Sequence, residues 1–297
     1  LNESGKLIKA LIEIGRPRQW VKNAFVFAPI IFVKHVTDYS ELSKTILAFI
    51  MFCLYSSCVY MMNDIADIER DKQHPEKRNR PLPSGRLQIH TVRAAGIVLF
   101  SIATLVSAFL SWQFLAVALL YFFTNVLYSF WCRSIVILDG MLIALGFVLR
   151  TYAGAVVIEE AFSEWLYICA TFVSLFLAFC KRRHEIILLG GETAQNHRAI
   201  LREYSTQLLD QIIAIVTSAT VVTYSLYCIL PHSSGEDYPS MKYSIPFVLY
   251  GLFRYLYLVY SKEEGGNPTE VLLTDRPLFI NGILWLAVVF WALYSGR

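Results

Sequence analysis

An all-α integral membrane protein, a bundle of nine transmembrane helices, is the fold class that this sequence predicts. Three observations predict it. Of the 297 residues, 56% are hydrophobic and only 16% are charged, where a soluble domain carries about 25% charged residues. The mean hydropathy is +0.50, and the apolar residues come in long uncharged runs, not in short alternating patches. The remaining charges are gathered in a few segments between those runs. Such a composition excludes a disordered chain, a collagen and a secreted disulfide scaffold.

A bilayer-spanning helix needs about 20 mostly apolar residues, within a range of about 17 to 25. Before the first such run, Lys6 to Ile14 places Leu7, Ile8, Leu11 and Ile12 on one helical face with Lys6, Lys9 and Glu13 around it, the pattern of an interfacial helix. Nine spans follow: Ala24 to Val33 with its flanks, Ile46 to Met62, Thr91 to Leu110, Phe114 to Trp131, Ile135 to Ile158, Trp165 to Phe179, Leu208 to Leu230, Tyr243 to Tyr260, and Pro277 to Tyr294. The first is the weakest, because its uncharged core is short and Pro29 interrupts it. No small-residue cleavage site follows it, so no cleavable signal is expected.

Sidedness follows from the Lys and Arg residues. Residues 1–22, 64–90, 180–207 and 261–276, with Arg133, hold nineteen of them, while the alternate segments hold four: Lys34, Lys44, Lys242 and Arg297. Arg93, Arg150 and Arg254 fall inside expected helices. The positive-inside rule puts the nineteen in the cytoplasm, and an odd number of spans leaves the C-terminus outside. The six cysteines lie in or beside spans without a CxxC pair, as small buried apolar residues do. None of the six histidines forms an HExxH pattern.

Two cytoplasmic segments carry the dense polar chemistry. In the first, Asn63, Asp64, Asp67 and Asp71 stand at the mouth of the second span. On a continuous helix, positions 64, 67 and 71 fall within an arc of about 60°. Like charges held so close raise one another's pKa, unless a cation relieves them. Such hard oxygen ligands suit Mg²⁺, which is commonly held by one or two carboxylates together with substrate phosphates. His74, Pro75, Lys77, Arg78, Arg80 and Arg86 come next, and the prolines are expected to end the helix and fold the basic residues back toward the acids. Acids for a metal beside bases for phosphate are what a metal–diphosphate complex requires. An isolated acidic triplet would read as a solvated loop; the spacing, the helix mouth and the basic run together favour a site.

The second segment reads Lys181, Arg182, Arg183, His184, Glu185. Lys181 and Glu185 are four apart and can face one cavity, although a helix-end ion pair would have the same spacing. Arg150 lies deep in a span, where an Arg costs about 2.5 to 3.5 kcal/mol on insertion scales; it therefore faces either a polar cavity or a buried ion partner.

The run Asn63-Asp64-x-x-Asp67-x-x-x-Asp71, followed by His74-Pro75-x-Lys77-Arg78-x-Arg80-Pro81, resembles the first signature of the UbiA-type intramembrane prenyltransferase superfamily. Further stretches are similar to one branch of it, the decaprenyl-phosphate phosphoribosyltransferases: Arg16-Pro17-x-x-Trp20-x-Lys22-Asn23, Gly146-Phe147-x-Leu149-Arg150 with Ala153-Gly154, Lys181-Arg182-x-x-Glu185, and Arg254-Tyr255 through Asn267-Pro268 to Asp275-Arg276. The resemblance implies one transmembrane domain over 1–297, with 1–22 as a cytoplasmic or interfacial segment. Segments 63–90 and 180–207 would be catalytic loops in a cytoplasmic cap over a polar cavity. It implies a bacterial-type plasma membrane location with the active site facing the cytoplasm. The implied reaction moves 5-phosphoribose from phosphoribosyl diphosphate to a polyprenyl phosphate. Mg²⁺ would sit on Asp64, Asp67 and Asp71, and the substrates on Arg16, Lys22, Asn23, Asn63, Lys77, Arg78, Arg80, Arg150, Lys181, Arg182 and Glu185. Where prenyltransferases of this fold carry a second aspartate-rich motif, this chain has Lys181, Arg182 and Glu185, and trading acids for cations suits substrates with extra phosphates. The partners implied are the two substrates and the bilayer, with a homo-oligomer left open and no role for nucleic acid.

Two rivals remain: transfer of a prenyl group from prenyl diphosphate to an aromatic or other small acceptor, and a transporter. The chain lacks the paired broken hydrophobic segments of transporter halves. The charge count makes topology testable. Cysteine labelling should reach positions near Lys77 and Arg198 from the cytoplasm and positions near Glu160 and Ser234 from outside; residues 77 and 160 on the same side would overturn the helix count.

Overall fold

The computed structural model describes residues 3–73, 77–160, 163–188, 203–230, 239–262, 266 and 268–294. His74 and Pro75 of the first motif, Asn267, and positions Arg198 and Ser234 lie outside the described residues. Every regular element among those described is helical. In chain order the α-helices are α1 (Glu3–Gly15), α2 (Ala28–Phe32), α3 (Tyr39–Ala66), α4 (Ile68–Gln73), α5 (Ile89–Leu110), α6 (Trp112–Phe130), α7 (Leu138–Val157), α8 (Glu164–Leu188), α9 (Thr206–Ile229), α10 (Ile245–Ser261), α11 (Pro268–Thr274) and α12 (Arg276–Tyr294). Short 3₁₀ turns separate several of them.

Seven of these helices, α3, α5 to α9 and α12, are long and apolar enough to cross a membrane. They coincide with seven of the nine expected spans. The eighth, Tyr243 to Tyr260, is α10, whose 17 residues sit at the short end of the spanning range. The first expected span differs. It is a 3₁₀ helix over Pro17–Phe27 running into the five-residue α2. Ala28 N–H bonds to the Phe25 carbonyl, and Pro29 has no N–H with which to continue an α-helical pattern back to the same turn. Large apolar side chains are exposed along the spans, among them Ile97, Leu105, Phe109 and Trp112, as a surface facing lipid requires.

The chain divides into two compact units. The first comprises Leu1–Ile30, Val36–Ser129 and Leu149–Glu160. Its axis is α3, started by the Asp38 carboxylate, which accepts hydrogen bonds from the N–H groups of Ser40 and Glu41 at 2.8 and 3.3 Å. This is an N-cap of the usual kind. With 28 residues, α3 is about 42 Å long, more than the ~30 Å of hydrocarbon it must cross. Its last turn carries Asn63 and Asp64. Helices α1 and α5 and the 3₁₀ run pack on α3. Ser57 ties two of them down: its hydroxyl donates to the Gly15 carbonyl at 2.9 Å and accepts from the Trp20 indole at 3.1 Å. Arg86 donates two hydrogen bonds to Glu13 at 2.7 and 2.8 Å and holds that carboxyl below the usual range.

The second unit comprises Ile31–His35, Phe130–Val148 and Ala161–Arg297. Phe176, Phe179, Leu209, Ile213, Tyr255 and Leu258 build its core, with α8 packed along α9. Ser205 caps α9 by accepting from Leu208 N–H, and the hydroxyls of Thr217, Thr220 and Thr223 donate back to carbonyls four residues earlier. Asp275 caps α12 through Leu278 N–H at 2.9 Å while Arg254 donates to it at 2.8 and 3.2 Å, which holds the Asp275 carboxyl low. All six cysteines are free and buried.

One glycine marks a close approach. A Cβ on Gly154 of α7 would lie 2.0 Å from the Val26 carbonyl oxygen, so backbone passes backbone where no side chain fits. A Cβ on Gly282 of α12 would meet nothing within 4 Å. Gly154→Ala should therefore destabilise the protein by about 2 kcal/mol or more, read as a lowered Tm in detergent, whereas Gly282→Ala should be neutral or slightly stabilising. Equal melting temperatures would contradict the packing of α7 on the 3₁₀ run.

Candidate active site

The first cluster grows from the end of α3. Asp64 lies in its last turn, and the chain pauses for one residue at Asp67 (φ −99°, ψ 8°) before α4 carries Asp71. The expected uninterrupted helix through 63–71 is thus broken at Asp67, although the N–H of Asp67 still bonds to the Asn63 carbonyl and that of Asp71 to the Asp67 carbonyl, at 2.9 and 2.8 Å. Asp64 and Asp71 are buried, 3% and 2% exposed. Asp67 is partly exposed, with the Arg70 guanidinium 3.6 Å away.

Cations fold back onto these acids, as the sequence suggests. The turn after Asn79 is stapled by Ser84, whose hydroxyl donates to the Arg80 carbonyl at 2.6 Å. Gly85 takes the left-handed φ of 75°, and Leu82 and Leu87 are buried with Ala10, Ile14, Met61 and Val92. So anchored, Arg80 donates to Asp71 at 2.6 Å and to Asp64 at 3.4 Å, and Lys77 lies 4.0 Å from Asp71. From the other side comes Arg16, at the junction of α1 and the 3₁₀ run. Its backbone is left-handed (φ 52°, ψ 60°), which costs about 1 to 3 kcal/mol in a non-glycine residue. Its guanidinium bonds Asp64 and lies over the Tyr60 ring, 4.8 Å from the centroid. Arg78 is exposed and forms no ion pair among the described residues; Asn63 and Lys22 are half-buried.

Two further sequence-predicted residues meet in the same unit. Arg150 donates to the Asn23 side-chain oxygen and to the Tyr121 hydroxyl, both at 2.7 Å, and stacks on the Tyr121 ring. Asn23 in turn donates to Ser56 at 3.2 Å and to Cys53 Sγ at 3.3 Å. Arg150 is thus held by neutral dipoles in a buried polar network.

The second cluster lies wholly in the other unit. Arg182, read from the sequence as a phosphate ligand, is 1% exposed. Its Nε donates to Asp139 Oδ2 and one Nη to Glu185 Oε2, each at 2.6 Å. Asp139 is fully buried and also accepts from the Tyr204 hydroxyl at 2.7 Å. Tyr204 Oη accepts the Ile137 N–H at 2.7 Å. Burial, and then the bond to Asp139, push the Tyr204 phenol well up, so it stays a donor. Lys181 Nζ stands 4.0 Å from Glu185 Oε1. Sequence reasoning missed Asp139 and Tyr204. Asp139 left a signal, being an acid inside the apolar stretch Ile135 to Ile158, where an ionisable residue needs a partner. Nothing in the sequence distinguishes Tyr204 from sixteen other tyrosines.

Among the described residues no group of three or more His, Cys, Asp or Glu stands ready as a metal cage. The donor set at the end of α3 nevertheless fits Mg²⁺. Asp64 and Asp71 supply hard carboxylate oxygens, already drawn together by a shared cation, and Mg²⁺ takes its other ligands from phosphates and water.

A model of the UbiA prenyltransferase family matches residues 25–283. The decaprenyl-phosphate phosphoribosyltransferase of Corynebacterium glutamicum is 31% identical over 300 residues, which cover 99% of this chain and 88% of the relative. The enzyme of the same name from Mycolicibacterium smegmatis is 30% identical, covering 97% and 93%. Among solved structures, a UbiA homolog from Archaeoglobus fulgidus bound to GPP and Mg²⁺ superposes with a TM-score of 0.71 over 96% of this chain and 99% of that one, at 16% identity. Seven apolar helices, an acid–base cluster at the end of α3 and a family match over most of the length agree: the chain belongs to the UbiA prenyltransferase family.

Proposed function

We propose that the protein transfers 5-phosphoribose from phosphoribosyl diphosphate to a polyprenyl, decaprenyl-like phosphate, releasing diphosphate. The similarity to decaprenyl-phosphate phosphoribosyltransferases over nearly the whole chain carries this reading. On it the chain acts as one transmembrane domain of nine crossings, the seven long helices joined by α10 and by the 17–32 segment. Segments 63–90 and 180–207 form a cytoplasmic cap and carry the catalytic loops.

Asp64, Asp67 and Asp71 would hold Mg²⁺, which when bound neutralises charge on the diphosphate leaving group. Arg16 and Arg80, partly exposed and paired with buried acids, turn to the diphosphate oxygens, with Lys77 and Arg78 beside them. These cations are placed where charge develops. The ribose C1–O bond breaks early, leaving oxocarbenium character on the sugar. The acceptor phosphate oxygen is already ionised, so it attacks C1 from the opposite face, with inversion and without a general base. Lys22 and Lys181 serve the remaining phosphates. Asn23 fixes Arg150 in the polar network, Asn63 flanks the acids, and Arg182 acts through Glu185.

Membranes given labelled phosphoribosyl diphosphate and polyprenyl phosphate should yield a labelled lipid. Asp64→Asn keeps size but removes a charged ligand and should lower this transfer about 100-fold or more, as should excess chelator; full activity in either case would refute the metal–diphosphate site. Lys181→Ala should weaken use of phosphoribosyl diphosphate, and the wild type should reject a donor lacking the 5-phosphate, since the cations meant for it would be left unpaired. Equal turnover of both donors, or robust prenyl transfer to a phenolic acid, would favour the aromatic prenyltransferase alternative.

A further inference from the structure

Lys181 and Arg182 look alike in the sequence, but the fold separates them. The Arg182 side chain is 2% exposed and that of Asp139 is fully buried, whereas Glu185 is 21% and Lys181 41% exposed. One guanidinium thus lies between two carboxylates, and only the Glu185 end of this knot reaches outward. Tyr204 locks the inner end, bonded both to Asp139 and to the N–H of Ile137. Ile137 has a φ of 69°, a left-handed conformation that a β-branched residue adopts only when its surroundings impose it. The loop before α7, the first turn of α7, the end of α8 and the residue ahead of the α9 cap are all pinned here. The knot has the features of a device that fixes one carboxylate.

We propose that Glu185, positioned by Arg182, Asp139 and Tyr204, reads the vicinal hydroxyls of the donor's ribose, while Lys181 beside it takes a phosphate of the same molecule. This deepens the phosphoribosyl reading and rests on it. A second divalent cation at Glu185 would sit beside two positive groups, Arg182 at 2.6 Å and Lys181 at 4.0 Å from its oxygens, and like charges at such range repel strongly. An anion directly on the Glu185 oxygens would be repelled by their charge, so phosphate belongs to the Lys181 ammonium and not to the carboxylate. A diol brings two uncharged O–H donors, and carboxylates hold ribose hydroxyls in this way in dinucleotide sites. The ammonium of Lys181 is a compact point charge suited to phosphate. A prenyl group offers no hydroxyl to this pair, so the pair selects a sugar phosphate over a prenyl chain.

The test compares kcat/KM for phosphoribosyl diphosphate with that for its 2-deoxy and 3-deoxy analogues, in the full-length protein. The wild type should disfavour at least one analogue by about 10- to 100-fold, the range for a hydrogen bond to a charged group. In Glu185→Gln that ratio should fall toward one, because the parent donor loses more than the analogue. Tyr204→Phe and Asp139→Asn should lower the same ratio part of the way, and Asp139→Glu should recover some of it. A knot that merely supports the fold would slow both donors alike. If Asp139→Asn fails to fold, Glu185→Gln and Tyr204→Phe still decide. A wild-type enzyme that uses phosphoribosyl diphosphate without discriminating, or an unchanged ratio in Glu185→Gln, overturns the hydroxyl assignment alone. A wild type that consumes only prenyl diphosphate removes the phosphoribosyl reading and this one with it.

Discussion

Carboxylates kept out of water at the ends of membrane helices need cations, and the local structure on both sides of this need follows from it. An ionised acid buried without a partner is costly enough to abandon its charge, and removing one partner of a buried ion pair typically costs about 3 to 5 kcal/mol. Asp64 and Asp71 are answered by Arg16 and Arg80, and Asp139 by Arg182. Each arginine has its own scaffold. Arg16 uses a strained left-handed residue at the end of α1, Arg80 a turn stapled by Ser84 and by buried Leu82 and Leu87, and Arg182 the rigid length of α8. The backbone irregularities at Arg16, Gly85 and Ile137 all fall beside these pairings.

The two clusters use the same chemistry in opposite ways. At the end of α3 the acids are buried while Arg16, Arg80 and Lys77 remain 28%, 32% and 42% exposed. These cations reach solvent and can meet an incoming phosphate, provided that another cation answers the buried acids they leave. At the end of α8 the cation is the buried member and a carboxylate faces outward. That arrangement cannot exchange; it can only present Glu185 in a fixed attitude. On the proposed reading the first cluster binds and releases a charged complex, and the second inspects a neutral part of the donor.

Much of this was legible in the sequence, and the misreadings have identifiable causes. Apolar runs gave seven helices directly, because length and hydropathy are what a membrane selects. The 17–32 segment departed from expectation since its pattern is short and two prolines dictate hydrogen bonding there. The acidic triplet was visible by spacing, and the prolines after it correctly foretold that Arg80 returns to the acids. Arg182 could not be told from Lys181, because burial of a helix-end arginine depends on Asp139, 43 residues earlier, and on Tyr204, which bonds to Asp139. Gly154 was visible as part of a motif, but the carbonyl it accommodates belongs to Val26, far away in sequence.

In both units the polar cluster occupies the final turns of a helix longer than a bilayer core. α3 has 28 residues and α8 has 25, about 42 and 38 Å against ~30 Å of hydrocarbon. On the proposed sidedness, the surplus carries carboxylates and guanidinia to the level of the lipid headgroups. A polyprenyl phosphate is brought to that level by its own tail, so its phosphate needs orientation more than capture. The donor has no tail and must be gathered from water by charge and hydroxyl contacts alone. On the proposed reading, an enzyme joining two such substrates therefore spends most of its polar side chains on the donor.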